Sequence, residues 1–359
     1  MRPEPLANYD ATHLTALLEQ IGQPRYRITQ VLEWVWKKGI TSYDEMSNVP
    51  QHIREALSRQ LPLLHPRIVE RQVSRDGTRK YLIQLCDGNT VEVVGLPTTD
   101  RLTVCASTQI GCAMGCTFCA TGQEGLVRNL TAAEIAASVV LVAQDFDRRI
   151  SNVVMMGQGE PFANYDATLE ALRILNAPWG LGIGARHLTV STAGLIDGIR
   201  RFSTEPEQFT LAVSLHSARQ ATRDALMPGL ATQPLGKLRE ALIAYYEKTG
   251  RRPSLEYALI AGRSDTPAEI EALGTFASAV GAHVNLIPLN QWECTSSDTT
   301  NHAMHPTPGS RATEIATLLR SRYSVEATLR ARRGADIAAA CGQLRQRAHE
   351  AHETETREA

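Results

Sequence analysis

A chain of 359 residues, 43% of them apolar, can build a core for one large domain and a smaller companion. No apolar run approaches the ~18 residues of a membrane span, and Met1 is followed by Arg2-Pro3-Glu4-Pro5 rather than a signal sequence, so the expectation is a soluble cytoplasmic protein with no membrane contact. Seven cysteines outside any secretory context argue for reduced thiols over a disulfide scaffold, and a formal net charge of −1 hides a basic stretch at residues 21–85, with eleven Lys/Arg against six Asp/Glu. Such a surplus suits a polyanion if the cations share a face, and is idle solvated charge if they do not.

In chain order, residues 12–22 place Leu14, Leu17, Leu18 and Ile21 on one helical face, with Thr12 as cap and Gly22 as stop. A second helix carries Ile28, Val31, Leu32 and Val35 inward and ends in Trp34, Trp36, Lys37 and Lys38. That aromatic and basic cluster could stack on a base, although tryptophans at helical spacing more often fill a core. A third helix runs through Ile53, Leu57 and Leu61. From Pro66 the period becomes two, predicting strands at 68–73, 80–86 and 90–95 separated by Asp76-Gly77 and Asp87-Gly88-Asn89. Glu92 lies in the last of these. Alternation turns it away from Val91 and Val93, and an acid so placed is usually the wet side of a sheet.

Beyond Leu102, strands at 102–106, 152–156, 187–192, 209–216, 255–260 and 284–289 alternate with helices such as 235–246 and 268–280, with one more strand at 325–331. Thr131 and Glu134 read as a capping box for the first of those helices. Six βα units are too few to close an eight-stranded barrel, so the expected fold is α/β, an open partial (β/α)6 TIM-like barrel. The reading divides the chain into a helical accessory module at 1–64, a β-hairpin linker at 65–100, the barrel core at 101–344 and a disordered tail at 345–359.

Cys112-Ala113-Met114-Gly115-Cys116-Thr117-Phe118-Cys119 follows the first barrel strand. Three thiolates spaced C-x3-C-x2-C can face one point and leave a coordination position open, as an iron–sulfur cube that must bind a small molecule requires. The competing reading is a structural zinc site completed by Cys105 or a distant His, although such sites more often show two C-x2-C pairs. Polar residues collect at the carboxyl ends of the strands, where chemistry sits in parallel α/β folds: Glu160, Ser191 and Thr192, Ser214 and His216, and Asn290. The polar loop at 291–308 carries Trp292 and Cys294 and is long enough to be functional or disordered.

With Cys105, the three-cysteine loop, Gly159-Glu160-Pro161, Ser214-Leu215-His216 and Ala339-Ala340-Cys341-Gly342-Gln343-Leu344 in order, the sequence resembles the RlmN/Cfr family of radical S-adenosylmethionine (SAM) RNA methyltransferases from about Gln23 to Arg345. The resemblance implies that Cys112, Cys116 and Cys119 ligate one 4Fe-4S cluster per subunit, and that Gly159, Glu160, Ser191, Ser214, Leu215, His216 and Asn290 bind SAM, two molecules of which are used per turnover. It also implies that Cys341 is the cysteine that becomes methylated, Cys105 its resolving partner through a transient disulfide, and Glu92 the proton acceptor. The implied partners are 23S rRNA, tRNA and an electron donor such as flavodoxin, acting on a monomer whose amino-terminal module grips RNA. Gly159-Glu160-Pro161 and Arg333-Gly334 resemble the RlmN branch, which modifies carbon 2 of adenine, rather than the Cfr branch, which modifies carbon 8. Gln158 departs from the family, which usually has an apolar residue there. The alternatives are a non-catalytic, zinc-stabilised RNA-binding protein and an enzyme of this family directed at another RNA.

Overall fold

The computed structural model describes residues 11–61, 63, 66–123, 125–290, 304–331 and 333–337. Its first elements are α1 (Ala11–Gln20), α2 (Tyr26–Leu32) and α3 (Gln51–Gln60), with α2 running on as a wider π-helical turn over Glu33–Lys37. The apolar stripe read from the sequence is the buried one, through Leu14, Leu18, Val31, Leu32, Ile53 and Leu57. Trp36 belongs to this core at 3% exposure, so its aromatic ring is not free to stack on a base. Trp34 is half-buried; its Nε1 donates to Asn48 Oδ1 at 2.6 Å, and Lys38 Nζ lies 3.2 Å above its ring.

A ten-stranded sheet follows, and a separate hairpin is formed by β5 (Gln109–Gly111) and β6 (Leu126–Asn129). Its antiparallel part is β1 (Arg67–Val73), β2 (Arg79–Gln84) and β3 (Thr90–Pro97), and β3 pairs antiparallel with β4 (Leu102–Cys105). From β4 onward the ladder is parallel through β7 (Asn152–Met155), β8 (Leu188–Thr192), β9 (Thr210–Ser214), β10 (Ser254–Leu259), β11 (His283–Pro288) and β12 (Ala327–Leu329). The barrel expected from the βα alternation is therefore present and open, and the three strands before it extend the same sheet.

The crossovers are α5 (Ala132–Phe146), α6 (Tyr165–Asn176), α7 (Ile196–Phe202), α8 (Gln220–Leu226), α9 (Leu235–Thr249), α10 (Pro267–Val280) and α11 (Gly309–Tyr323). Helix α5 starts on the Thr131–Glu134 capping box, where Glu134 N donates to Thr131 Oγ1 at 3.2 Å and Glu134 Oε2 accepts from Thr131 N at 2.9 Å. One apolar cluster runs unbroken from Leu14 to Ala327, joining the helical module to the barrel through α5. Gln144 of α5 donates to Gly39 O at 3.0 Å across that junction. Among the described residues no helix is long and apolar enough to cross a membrane.

Candidate functional site

The loop after β4 is framed by a small hairpin, β5 (Gln109–Gly111) against β6 (Leu126–Asn129), with the four-residue helix α4 (Ala120–Gln123) inside it. Cys112, Cys116 and Cys119 all line one cavity of about 340 Å³ at the carboxyl ends of the parallel strands. Gly159, Glu160, Ser191, Ser214, His216 and Asn290 line the same cavity, so these expected site residues converge. Leu215 does not; it is fully buried in the core.

Each of these side chains is placed by a local device. Glu160 caps the short helix Pro161–Asn164, and its carboxylate accepts from Phe162 N at 2.9 Å, Thr192 Oγ1 at 2.7 Å and Ala193 N at 2.6 Å. Burial pushes this carboxyl up, and the three donors oppose that. His216 sits at a positive φ of 55°, costly for a residue with a Cβ, and Ala258 N donates to its Nδ1 at 3.0 Å. That bond leaves the ring proton on Nε2, and burial pulls the imidazole down to about 3, so it is neutral. Phe118, between two of the cysteines, meets the His216 ring edge-on with centroids 4.6 Å apart. At Gly157 a Cβ would lie 2.4 Å from Ser107 Oγ and 2.8 Å from Ala106 O, so only glycine lets β7 and β4 close at their ends.

Burial raises the Cys112 thiol to about 11 and the Cys116 thiol further still. Among the described residues no three His, Cys, Asp or Glu side chains close round a point as a single ion demands. A cube takes one thiolate to each of three irons, and three thiols lining one cavity fit it.

Glu92 and Cys105 lie beside the cavity without lining it. The pairings Leu82 with Glu92, Lys80 with Val94, and Val94 with Cys105 put Lys80, Glu92 and Cys105 on one face of the sheet. Cys105 pairs in turn with Val154, two residues before the cavity-lining Met156, so that face is the barrel interior. The expectation of a wet Glu92 is corrected here: it is 3% exposed, because the opposite face of β3 packs on α5 and its own face turns into the barrel. Its countercharge is Lys80, fully buried, with Nζ 3.2 Å from Glu92 Oε1. Gln158 is tied into this corner. Its Oε1 accepts from Glu92 N at 3.1 Å, its N–H donates to Ser107 Oγ at 2.8 Å, and Ser107 Oγ donates to Glu92 O at 2.6 Å.

Some neighbours of the site escaped the sequence reading. Glu256 of β10, 3% exposed, lines the cavity floor; its Oε1 accepts from Asn285 Nδ2 at 2.8 Å. Arg330 reaches from the end of β12 to within 3.7 Å of Glu256 Oε2 and 3.8 Å of Met156 Sδ. An acid inside an otherwise apolar strand was the available signal for Glu256. The basic stretch is partly spent internally, since Arg71 and Arg79 both meet Asp145 and Lys80 meets Glu92. Cys341 and Cys294 lie outside the described residues, as do most of the 291–308 loop and the tail.

Two family models match: the ribosomal RNA large subunit methyltransferase N-terminal domain at residues 5–62 and the radical SAM superfamily at residues 107–273. The chain is 41% identical over 353 residues to the probable dual-specificity RNA methyltransferase RlmN of Symbiobacterium thermophilum, covering 97% of this chain and 93% of that one. It is 42% identical to the protein of the same description from Gloeobacter violaceus, covering 96% of this chain and 95% of the other. The crystal structure of a radical SAM methyltransferase from Sphaerobacter thermophilus superposes with a TM-score of 0.86 at 42% identity, covering 94% of this chain and 99% of that one. With the thiol loop, the open barrel and the buried acid already in place, these likenesses end in one conclusion: the chain belongs to the RlmN family of radical SAM RNA methyltransferases.

Proposed function

We propose that the chain methylates carbon 2 of an adenosine in ribosomal RNA and in tRNA by way of a methylated Cys341. The observation that carries this reading is the shared inward face of Glu92 and Cys105, beside a cavity walled by three thiols. Relatives described as dual-specificity RNA methyltransferases support the two RNA classes. Cys112, Cys116 and Cys119 would hold a 4Fe-4S cluster, and Gly159, Glu160, Ser191, Ser214, His216 and Asn290, with the backbone of Leu215, would hold SAM. When bound, this pair supplies one-electron chemistry able to take a hydrogen atom from an unactivated methyl group.

The protein's own residues do the rest. Adenine carbon 2 and a sulfonium methyl are both electrophilic, so direct transfer is closed and a nucleophile must carry the carbon. Cys341, once a thiolate, accepts the methyl by displacement. Glu92 takes the ring proton after the carbon has joined the base, and Lys80 at 3.2 Å keeps its carboxylate in place. With the adduct's unpaired electron given back to the bound one-electron couple, attack by the Cys105 thiolate on the Cys341 sulfur breaks the sulfur–carbon bond; the CH2 carbon leaves with that electron pair and takes up a proton to become the methyl group, and the Cys105–Cys341 disulfide so formed is reduced by an external thiol before the next turnover. An external one-electron donor of the flavodoxin type and a monomeric enzyme complete the reading. RNA is gripped through phosphates and shape by the helical module and β1–β3.

Mass spectrometry of rRNA and tRNA nucleosides from a deletion strain tests this, with loss of 2-methyladenosine as the expected result. Loss of 8-methyladenosine would move the reaction to the other carbon, and no missing methyladenosine would overturn the proposal. In vitro, Cys341→Ala is expected to keep its iron and lose methyl incorporation, and Cys105→Ala to accumulate a protein–RNA adduct.

A further inference from the structure

Helix α8 and the short turn after it, Pro228–Leu230, pack against the cysteine loop. Thr117 N donates to Leu226 O at 2.9 Å and Gly229 N donates to Met114 O at 3.0 Å, which stitches the helix to the loop on both sides of Cys116. Just before Leu226 on this helix, Arg223 turns inward and is fully buried. Its Nη2 donates to Ala193 O at 2.5 Å, while Nε and Nη1 have no hydrogen-bond partner among the described residues.

A guanidinium stripped of water with spare donors is unfavourable unless an anion stands close. Burial lowers this one to about 10, so it remains charged at neutral pH, and the groups that offset the penalty are Cys116 and Asp224. Asp224 is partly exposed and already accepts from Gln220 Nε2 at 2.7 Å. Arg223 is not among the residues that line the cavity. The segment stitched to its helix is the loop of Cys112, Cys116 and Cys119, so the anion open to the spare donors is the one that this loop would hold.

We propose that Arg223 is the fixed countercharge of the iron–sulfur cluster, a positioning residue that raises the cluster's reduction potential from beside Cys116. The inference rests on the reading that the three-cysteine loop holds that cluster. Accepting an electron adds one negative charge to a group already carrying thiolates. A buried positive charge beside it stabilises the reduced state more than the oxidised one. Asp224, on the same helix, works against this by partly cancelling Arg223.

The test is an anaerobic redox titration of the reconstituted full-length protein, followed by electron paramagnetic resonance of the reduced cluster, with iron and sulfide measured on the same samples. Arg223→Gln is expected to hold its iron and to lower the reduced-to-oxidised ratio about tenfold at a fixed potential, a shift of about 59 mV for a one-electron couple. Arg223→Lys is expected to restore most of it, and Asp224→Asn to shift the midpoint the opposite way. An unchanged midpoint in iron-loaded Arg223→Gln would overturn the proposal, as would an equal shift in Arg223→Lys. Should Arg223→Gln fail to load, Asp224→Asn decides alone: an upward shift sustains the countercharge, and no shift refutes it. Wild-type protein free of iron and sulfide after reconstitution would instead overturn the cluster reading itself.

Discussion

Lys80 Nζ stands 3.2 Å from Glu92 Oε1, with side chains 0% and 3% exposed, so a full ion pair is closed inside the sheet where the antiparallel strands meet the barrel. Such a pair is a weak source of net stability, because desolvation offsets most of the attraction, but removing one partner strands the other. Lys80→Met is therefore expected to destabilise the fold by about 3–5 kcal/mol in urea unfolding. The double variant Lys80→Met/Glu92→Leu is expected to recover much of that loss. Glu92→Gln leaves Lys80 without its countercharge and is expected to lose stability too, so its chemical role is read on folded, iron-loaded protein, which should release no methylated adenosine. Wild-type turnover in Glu92→Gln would remove Glu92 from the mechanism.

His216 sets a pH dependence with a definite sign. Its folded-state value of about 3 lies below the ordinary 6.5, so the unfolded chain binds a proton between those values that the folded chain refuses. The stability His216 allows is complete above pH ~6.5 and is lost as the pH falls toward 3. Urea midpoints of the metal-free protein at pH 7.5 and pH 5 are expected to differ less in His216→Asn than in the wild type. Equal differences would show that the ring takes a proton freely in the folded state.

The last described residues are clipped to the β1–β2 turn. Asp336 Oδ1 accepts from Ser74 Oγ at 2.5 Å and its Oδ2 from Arg75 N at 3.1 Å, while Gly334 N donates to Asp76 Oδ2 at 3.1 Å. Arg333 Nη1 adds a bond to Pro97 O at 2.6 Å. Cys341 follows only four residues after Ile337, so a loosened clip should be felt there. Asp76→Ala/Asp336→Ala is expected to speed tryptic cleavage at Arg333 and to lower the fraction of protein carrying a methyl group on Cys341 several-fold, with iron content unchanged. A wild-type methylated fraction in that variant would show that the clip serves folding alone.

Local pattern was enough for much of this fold. Period-two runs marked the first three strands and the alternation of strands with helices marked the others, Thr131 and Glu134 marked the start of α5, and strand-end polar residues marked the cavity rim. The cavity residues were legible because a parallel sheet delivers all its strand ends to one rim. What stayed hidden depended on pairing between distant segments. The strands β5 and β6 are three and four residues long, too short for a period, and exist because the loop ends meet. Lys80 in an alternating run reads as solvent-facing; that it is buried follows only from the register that sets it near Glu92. Arg223 likewise reads as the polar side of a short helix until α8 is seen stitched to the cysteine loop.

Strand β4 is hydrogen-bonded antiparallel to β3 on one side and parallel to β7 on the other. It cannot slide along its own axis without breaking both ladders at once, so the thiol at its end has the stiffness of the whole sheet behind it. Cys105 is in that sense an anchored sulfur: a partner that exchanged with it, as proposed above, would have to be brought to a fixed point.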